Sequence, residues 1–252
     1  MYTLKKSLGQ HFLHDQKVVD RILAALSGCT FDQLLEIGPG GGALTRHLLE
    51  LKVNFRAVEI DAEKVDYLLA AFPVIHGKLL NEDVLSLQPP FTGRFAVIGN
   101  FPYNISTEIL FRLIDWKDQV NCVVGMFQKE VAQRIAAPPG SRTYGITSVL
   151  TQAVFSVEYL FEVSESAFQP PPKVKSAVLR LLPLAKTADF TSWKSFVLLV
   201  KTAFNQRRKT LRNATRTLFD AGTLQEAIFE QRAEQLSVEQ FATLTLKMKT
   251  PA

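Results

Sequence analysis

Residues 100–104 read Asn-Phe-Pro-Tyr-Asn and close an apolar run at 94–99. That combination suits one demanding chemistry. An exocyclic amine on an aromatic ring is a poor nucleophile, because its lone pair is delocalised into the ring. It needs no strong base. It needs acceptors that hold its two hydrogens, so that the lone pair points at an electrophilic methyl group, and such alignment is worth several kcal/mol. The side-chain oxygen of Asn100 is one candidate acceptor. The carbonyl of Phe101 or Pro102 is the second, since proline fixes its own φ and holds its predecessor extended. Tyr103 offers a flat face on which a base can stack. On its own the segment also reads as an ordinary turn. Its weight comes from where it falls in the chain.

Upstream, residues 36–42 read Glu-Ile-Gly-Pro-Gly-Gly-Gly, after the apolar residues Leu34 and Leu35. In doubly wound folds the first strand–helix turn binds nucleotide-like ligands. Glu59 ends the next apolar run, 21 positions after Gly38, where a carboxylate can accept from ribose hydroxyls. Gly38, Gly40 and Ala43 also fit a dinucleotide pattern, so the turn alone leaves a nicotinamide cofactor open. Two features favour S-adenosylmethionine. Glu36 brings a carboxylate to the turn, which suits a ligand with an ammonium and a sulfonium. Asp83 follows the third strand region, where an acceptor can meet the adenine amine; a helix cap or turn is its ordinary alternative.

A base inside a duplex cannot reach such a pocket, so it must be flipped out or already unpaired. Phe168, beside the prolines 170–172, is a candidate for the other side of a base sandwich; a core aromatic is the competing reading. The chain carries 29 Lys and Arg against 24 Asp and Glu, a net charge of +5. That excess is compatible with nucleic acid and does not establish it. Its distribution says more: residues 201–216 hold six basic residues and no acidic one. On a helix Arg208, Arg212 and Arg216 share a face, flanked by Arg207 and Lys209. Such a face would hold phosphates without reading sequence.

The elements that must position these residues alternate. Strands are expected at 33–37, 55–60, near 74–80, at 94–100 and at 121–127, with helices between them. That pattern argues for a parallel sheet covered on both faces. Two further β-rich runs flank the proline cluster, one of them expected antiparallel. Beyond Pro183 the pattern is helical. The expected domains are therefore 1–182, for cofactor and catalysis, and 183–252, a small helical RNA-binding domain. Residues 136–148 form a polar stretch expected to be mobile without RNA. Cys29 and Cys122 lie apart in sequence and read as free thiols, and no metal site is expected. No run approaches the roughly 18 apolar residues of a membrane span and the first residues lack a signal-peptide core, so a cytoplasmic monomer is expected.

Together these residues resemble the KsgA family of small-subunit ribosomal RNA adenine dimethyltransferases. The likeness runs through SLGQHFLHD, EIGPGGGALT, VEID, EDVL, NFPYNIS, FQPPPKVKSAV and FNQRRKTLRNA. It implies a Rossmann-like class I methyltransferase fold, a seven-stranded sheet plus a small C-terminal all-helical domain. It implies transfer of two methyl groups from S-adenosylmethionine to N6 of each of two adjacent adenosines, in a hairpin near the 3′ end of 16S rRNA, in the assembling 30S subunit. Cofactor contacts carry over to His11, Leu13, Gly38, Glu59, Asp83 and Asn100. His11 stands where the family often has Asn, and Phe101 where Leu is commoner. The related Erm group shares the cofactor and Asn-x-Pro-Tyr elements but acts on large-subunit rRNA; the 204–214 segment favours the small-subunit enzyme.

Overall fold

The computed structural model describes residues 11–249; the first residues of the SLGQHFLHD element lie outside them. The chain forms two compact units, Met1–Ala132 with Val157–Pro183, and Gln133–Ser156 with Leu184–Ala252.

The first unit begins with β1 (Phe12–Leu13) and α1 (Gln16–Ala25), the latter capped by Asp15, whose carboxylate accepts from the Lys17 and Val18 N–H groups. Then follow β2 (Gln33–Ile37), α2 (Thr45–Leu48), β3 (Asn54–Val58), α3 (Ala62–Ala71), β4 (Leu79–Leu80), β5 (Phe95–Asn100), α4 (Ser106–Asp115), β6 (Val120–Gln128) and α5 (Lys129–Ile135). After α6 (Ile146–Gln152) come β7 (Phe155–Val163), β8 (Phe168–Gln169) and β9 (Ser176–Pro183). Seven strands make one sheet in the order β4-β3-β2-β5-β6-β9-β7, and β1 pairs with β8 in a separate two-stranded ribbon. Strands β4 to β6 run parallel along the sheet, and β9 is antiparallel to β6, as expected of a late strand.

Burial on both faces explains the near-continuous apolar strands. Leu34, Ala96, Ile98, Val124 and Val178 share one core with Val19 and Ile22 of α1 and Leu48 of α2. Their strand neighbours Leu35, Val97, Val123 and Leu179 point the other way and are equally buried. Cys29 and Cys122, expected as free thiols, are paired in a disulfide that ties the chain after α1 to β6. Among the described residues no helix is long and apolar enough to cross a membrane.

The second unit takes in 133–156 as well as 184–252, whereas the sequence pattern placed the first boundary at 182/183. Bonds within 133–156 and one from Leu184 accompany that placement. Gln152 Nε2 donates to the carbonyls of Ile135 and Ala137, and Leu184 N–H to Val154 O. Residues 136–148, expected as a mobile loop, are likewise tied: Gly140 N–H donates to Glu234 O at 2.7 Å and Tyr144 is buried against Phe204. The remaining helices are α7 (Trp193–Asn205), α8 (Leu211–Ala214) and α9 (Val238–Thr245). An expected long basic helix is absent: α7 stops at Asn205, and Leu211 N–H turns to bond Gln231 O.

Phe101 explains two glycines in the sheet. Its ring is buried against Phe127, with centroids 5.2 Å apart. A Cβ on Gly125 would lie 2.5 Å from the ring, and one on Gly99 would lie 2.8 Å from it and 2.5 Å from Ile37 O. The larger residue at position 101 thus occupies a slot that side chains there would fill. We expect Gly125→Ala to destabilise the fold by about 1–3 kcal/mol through overpacking. Adding Phe101→Leu should recover part of the loss, since the Phe127 ring, 2.9 Å from the same Cβ, remains. Denaturant titration of both variants measures this, and no recovery in the double variant would show that the slot does not serve the ring.

Candidate active site

A cavity of about 340 Å³ opens at the carboxyl ends of β2, β3 and β5. Its walls come from three turns of the first unit and from the segment entering α1. Gly38 and Gly40 adopt φ of 69° and 56°, conformations that L side chains rarely take, and this lets the chain leave β2 sharply. Gly38 N–H donates to Val58 O, which docks the turn on β3.

Glu59 lies at the end of β3 and is 6% exposed. Its carboxylate accepts from Gly40 N–H at 3.3 Å and Asp61 N–H at 3.1 Å, and Lys64 Nζ lies 3.8 Å from Oε2. Those contacts orient it on the cavity wall. Glu36 is fully buried at the cavity floor, and its Oε2 accepts from the Thr45 hydroxyl. Burial pushes its carboxyl from 4.5 up to about 8. The Thr45 hydrogen bond opposes the shift and the Glu59 charge adds to it. Burial at the floor thus favours the neutral form of this carboxyl.

The Asn-Phe-Pro-Tyr segment faces the glycine turn. A Cβ on Gly38 would be 3.6 Å from Pro102 and 3.9 Å from Asn100 O, so the two turns are in close contact. Asn100 Nδ2 donates to His11 O at 3.3 Å, which leaves its oxygen as the free end of the amide. Pro102 O already accepts from Ile105 N–H. Tyr103 stacks on the His11 imidazole, with centroids 5.6 Å apart and planes at 29°, and its hydroxyl is hydrogen-bonded to Ser176. His11 Nδ1 lies 2.8 Å from Pro170 O and is the donor in that bond.

His11, Leu13, Gly38, Glu59, Asn100, Pro102 and Tyr103 therefore share one cavity. Two expected residues do not. Phe168 is 1% exposed and belongs to the core around Leu13 and Val178, so its ring offers no face to a base. It pairs with Leu13 across the β1–β8 ribbon, and that pairing draws the ring inward. Asp83 lies outside the cavity wall, where Oδ1 accepts from Leu85 N–H in a turn. Several wall residues escaped the sequence reading, among them Phe12, Lys64 and Ile60. Phe12 packs on Gly40, Lys64 reaches Glu59, and Ile60 is an apolar side chain 56% exposed directly after Glu59. An isoleucine exposed at a strand end beside a carboxylate was the available signal.

The basic residues belong to the second unit. Arg207, Arg208, Lys209 and Arg216 are exposed. Arg212 is folded back, donating to Leu224 O and pairing with Glu230. Arg208, Arg212 and Arg216 do not share a helix face, because residues 206–209 form a turn between α7 and α8. Arg207 donates to Arg142 O and lies 3.9 Å from Glu234.

The sequence matches the ribosomal RNA adenine dimethylase family over residues 1–249. The chain belongs to that family. It is 52% identical over 246 residues to ribosomal RNA small subunit methyltransferase A of Parabacteroides distasonis, covering 96% of this chain and 92% of that one. The Flavobacterium johnsoniae protein of the same name is 50% identical over 249 residues, covering 97% and 95%. Among solved structures it resembles a dimethyladenosine transferase from Plasmodium falciparum, with TM-score 0.77, 25% identity and coverage of 94% and 96%. The 23S rRNA methyltransferase ErmE shares the fold, with TM-score 0.73, 23% identity and coverage of 94% and 99%. The seven-stranded sheet is thus that of the Rossmann-like methyltransferases.

The raised carboxyl of Glu36 makes a stability prediction. Its folded pKa lies above the unfolded one, so its contribution is full below about 4.5 and is lost as pH rises through about 8. Glu36→Gln should therefore gain melting temperature relative to the parent as pH goes from 5 to 8. Parallel pH profiles in differential scanning fluorimetry would show that Glu36 is ionised at no cost in the folded protein.

Proposed function

We propose that this family member dimethylates N6 of two adjacent adenosines in the hairpin near the 3′ end of 16S rRNA, with S-adenosylmethionine as donor, during assembly of the 30S subunit. The observation that carries the reading is the tethered amide of Asn100. With Nδ2 bound to His11 O, the amide cannot rotate freely, and Oδ1 is presented as an acceptor beside the glycine turn.

The cavity suits the donor. S-adenosylmethionine, when bound, supplies a methyl group made electrophilic by its sulfonium. Glu36 supplies a charge that a cationic ligand draws out of its protonated form. Glu59, held by two backbone N–H groups, accepts from a ribose diol. Ile60 gives an apolar face to an adenine ring that extends beyond the cavity wall, and there the Asp83 carboxylate, past the end of β4, accepts from its amine. The backbone at His11 and Leu13 closes the site from the side of β1. The target amine donates one hydrogen to Asn100 Oδ1 and the other to the Phe101 carbonyl, since Pro102 O is already engaged in its turn. Tyr103 stacks on the extruded base. Transfer would form the N–C bond as the S–C bond breaks and S-adenosylhomocysteine leaves as a neutral thioether; the methylated amine, now cationic and acidic, would lose its proton to water, so no general base is required of the chain.

Arg207, Arg208, Lys209 and Arg216 hold rRNA phosphates, and Arg212 supports their backbone through its bonds to Leu224 and Glu230. The protein acts as a cytoplasmic monomer on a precursor particle, where the hairpin is accessible.

The decisive experiment incubates the protein with methyl-labelled S-adenosylmethionine and either unmethylated small subunits or unmethylated large-subunit rRNA. Mass spectrometry should find dimethyladenosine at two adjacent small-subunit positions. Label confined to large-subunit rRNA would move the enzyme to the Erm-like substrate. Asn100→Ala should abolish transfer, by at least about 100-fold at saturating S-adenosylmethionine if alignment supplies several kcal/mol, a loss larger than any fall in S-adenosylmethionine affinity measured by calorimetry. Replacing Arg208 and Lys209 with Glu should weaken RNA binding and flatten its salt dependence, again with cofactor affinity intact. Unchanged RNA affinity at moderate salt would remove these residues from the interface.

A further inference from the structure

Tyr103 is restrained at a point where stacking alone would not restrain it. The χ2 torsion of a tyrosine is broad and twofold, so rotamer preference does not fix the plane of the ring. Its phenol oxygen does. That oxygen is hydrogen-bonded to the hydroxyl of Ser176, the first residue of β9. Ser176 is completely buried and is otherwise surrounded by an apolar strand, Ala177-Val178-Leu179. A buried hydroxyl in such a strand needs a partner, and the phenol is the one it has in this fold. The placement follows from the sheet. Asn100 is opposite Met126 on β6, and Ser176 is opposite Gln128 on the other side of β6. Ser176 therefore reaches the residues that follow Asn100 from the far side of one strand. On its flank the ring meets His11, which is itself anchored to Pro170 O.

We propose that Ser176 is a positioning residue for the methyl transfer, acting through the Tyr103 hydroxyl to hold the ring in the plane on which the target adenine stacks. The inference rests on the stacking role given to Tyr103 above. Ser176 touches neither the base nor the donor. It sets the orientation of the residue that does. The Ser176–Tyr103 bond and the His11 contact restrain the ring at its edge and its face, so that the base meets a surface already in place.

Four proteins test this: the parent, Ser176→Ala, Tyr103→Phe and the double variant. S-adenosylmethionine affinity, measured by calorimetry, should be equal in all four and reports that the cavity is folded. With unmethylated small subunits, Ser176→Ala should lower kcat roughly three- to tenfold, the range a single hydrogen bond supports, and leave the KM for S-adenosylmethionine unchanged. Tyr103→Phe keeps the ring and removes the same bond, so it should lower kcat similarly. The double variant should be no worse than either single one. A parent-like kcat in Ser176→Ala, or losses that multiply in the double variant, would overturn the proposal. A parent protein that methylates no adenosine would instead overturn the assigned reaction. The bond is then read directly by fluorine NMR of protein labelled with 3-fluorotyrosine. The Tyr103 resonance, assigned by its loss in Tyr103→Phe, should shift and broaden in Ser176→Ala, and an unmoved resonance sinks the proposal on its own.

Discussion

The site depends on β2 and β5 lying side by side in parallel. Their register pairs Leu34 with Ala96 and Glu36 with Ile98. Two residues further along, the same register brings the Gly38 turn to Asn100, and the position of a Gly38 Cβ within 3.9 Å of Asn100 O records the result. Parallel neighbours must end at the same edge of a sheet, so the glycine turn and the Asn-Phe-Pro-Tyr segment converge without any long-range loop. The chain between the two strands supplies β3, which lies on the other side of β2 and delivers Glu59 to the same edge. Crevices outside the carboxyl ends of strands are the general ligand sites of open α/β sheets. This cavity is one, and its chemistry is set by which residues happen to end each strand.

Much of this was legible in the sequence because each feature has a local signature. Apolar runs 33–37 and 94–100 end in Gly-rich and Asn-Pro-Tyr turns, and both runs became strands of the sheet. What escaped has no local signature. The β1–β8 ribbon pairs Phe12 with Gln169 and Leu13 with Phe168, and two-residue strands carry no periodicity. Yet that ribbon decides that Phe168 is core, and it places His11 against both Asn100 and Tyr103. The basic segment failed for a related reason. Helical spacing put Arg208, Arg212 and Arg216 on one face, but Thr210 bridges to Arg232 and Leu211 bonds Gln231, so tertiary pairing interrupts the helix. Segment 133–156 reads as part of an alternating α/β pattern, and it is tertiary packing, such as Tyr144 on Phe204, together with hydrogen bonds such as Gly140 N–H to Glu234 O, that assigns it to the second unit.

Glu36 illustrates why a binding site costs stability. A carboxyl buried with one hydroxyl donor is poorly compensated, and the fold responds by keeping the proton. Replacement by an apolar residue of similar shape would relieve the core and remove the charge that a cationic ligand meets. Glu59 is treated differently by the same few residues. Two backbone N–H groups and Lys64 hold it, so it stands ready as an oriented acceptor. One carboxyl is held by a single hydroxyl and the other by two backbone N–H groups and a lysine, and the difference in their character comes from those surroundings.

The division between the two units follows from the chemistry. Every residue on the cavity wall belongs to the first unit, whereas Arg207, Arg208, Lys209 and Arg216 belong to the second. A reaction that needs no general base draws its rate from alignment, and alignment of a large RNA has two parts. Hydrogen bonds to one amine fix a few ångströms and carry no information about which adenosine is presented. Phosphate contacts spread over many nucleotides carry little about the amine but hold the register of the strand. Under the proposed function, an amide tethered by a backbone carbonyl and a tyrosine held at its hydroxyl would do the first task. Exposed Arg208, Lys209 and Arg216 would suit the second under the proposed function, because long cationic side chains can follow an RNA backbone whose shape the enzyme does not itself determine.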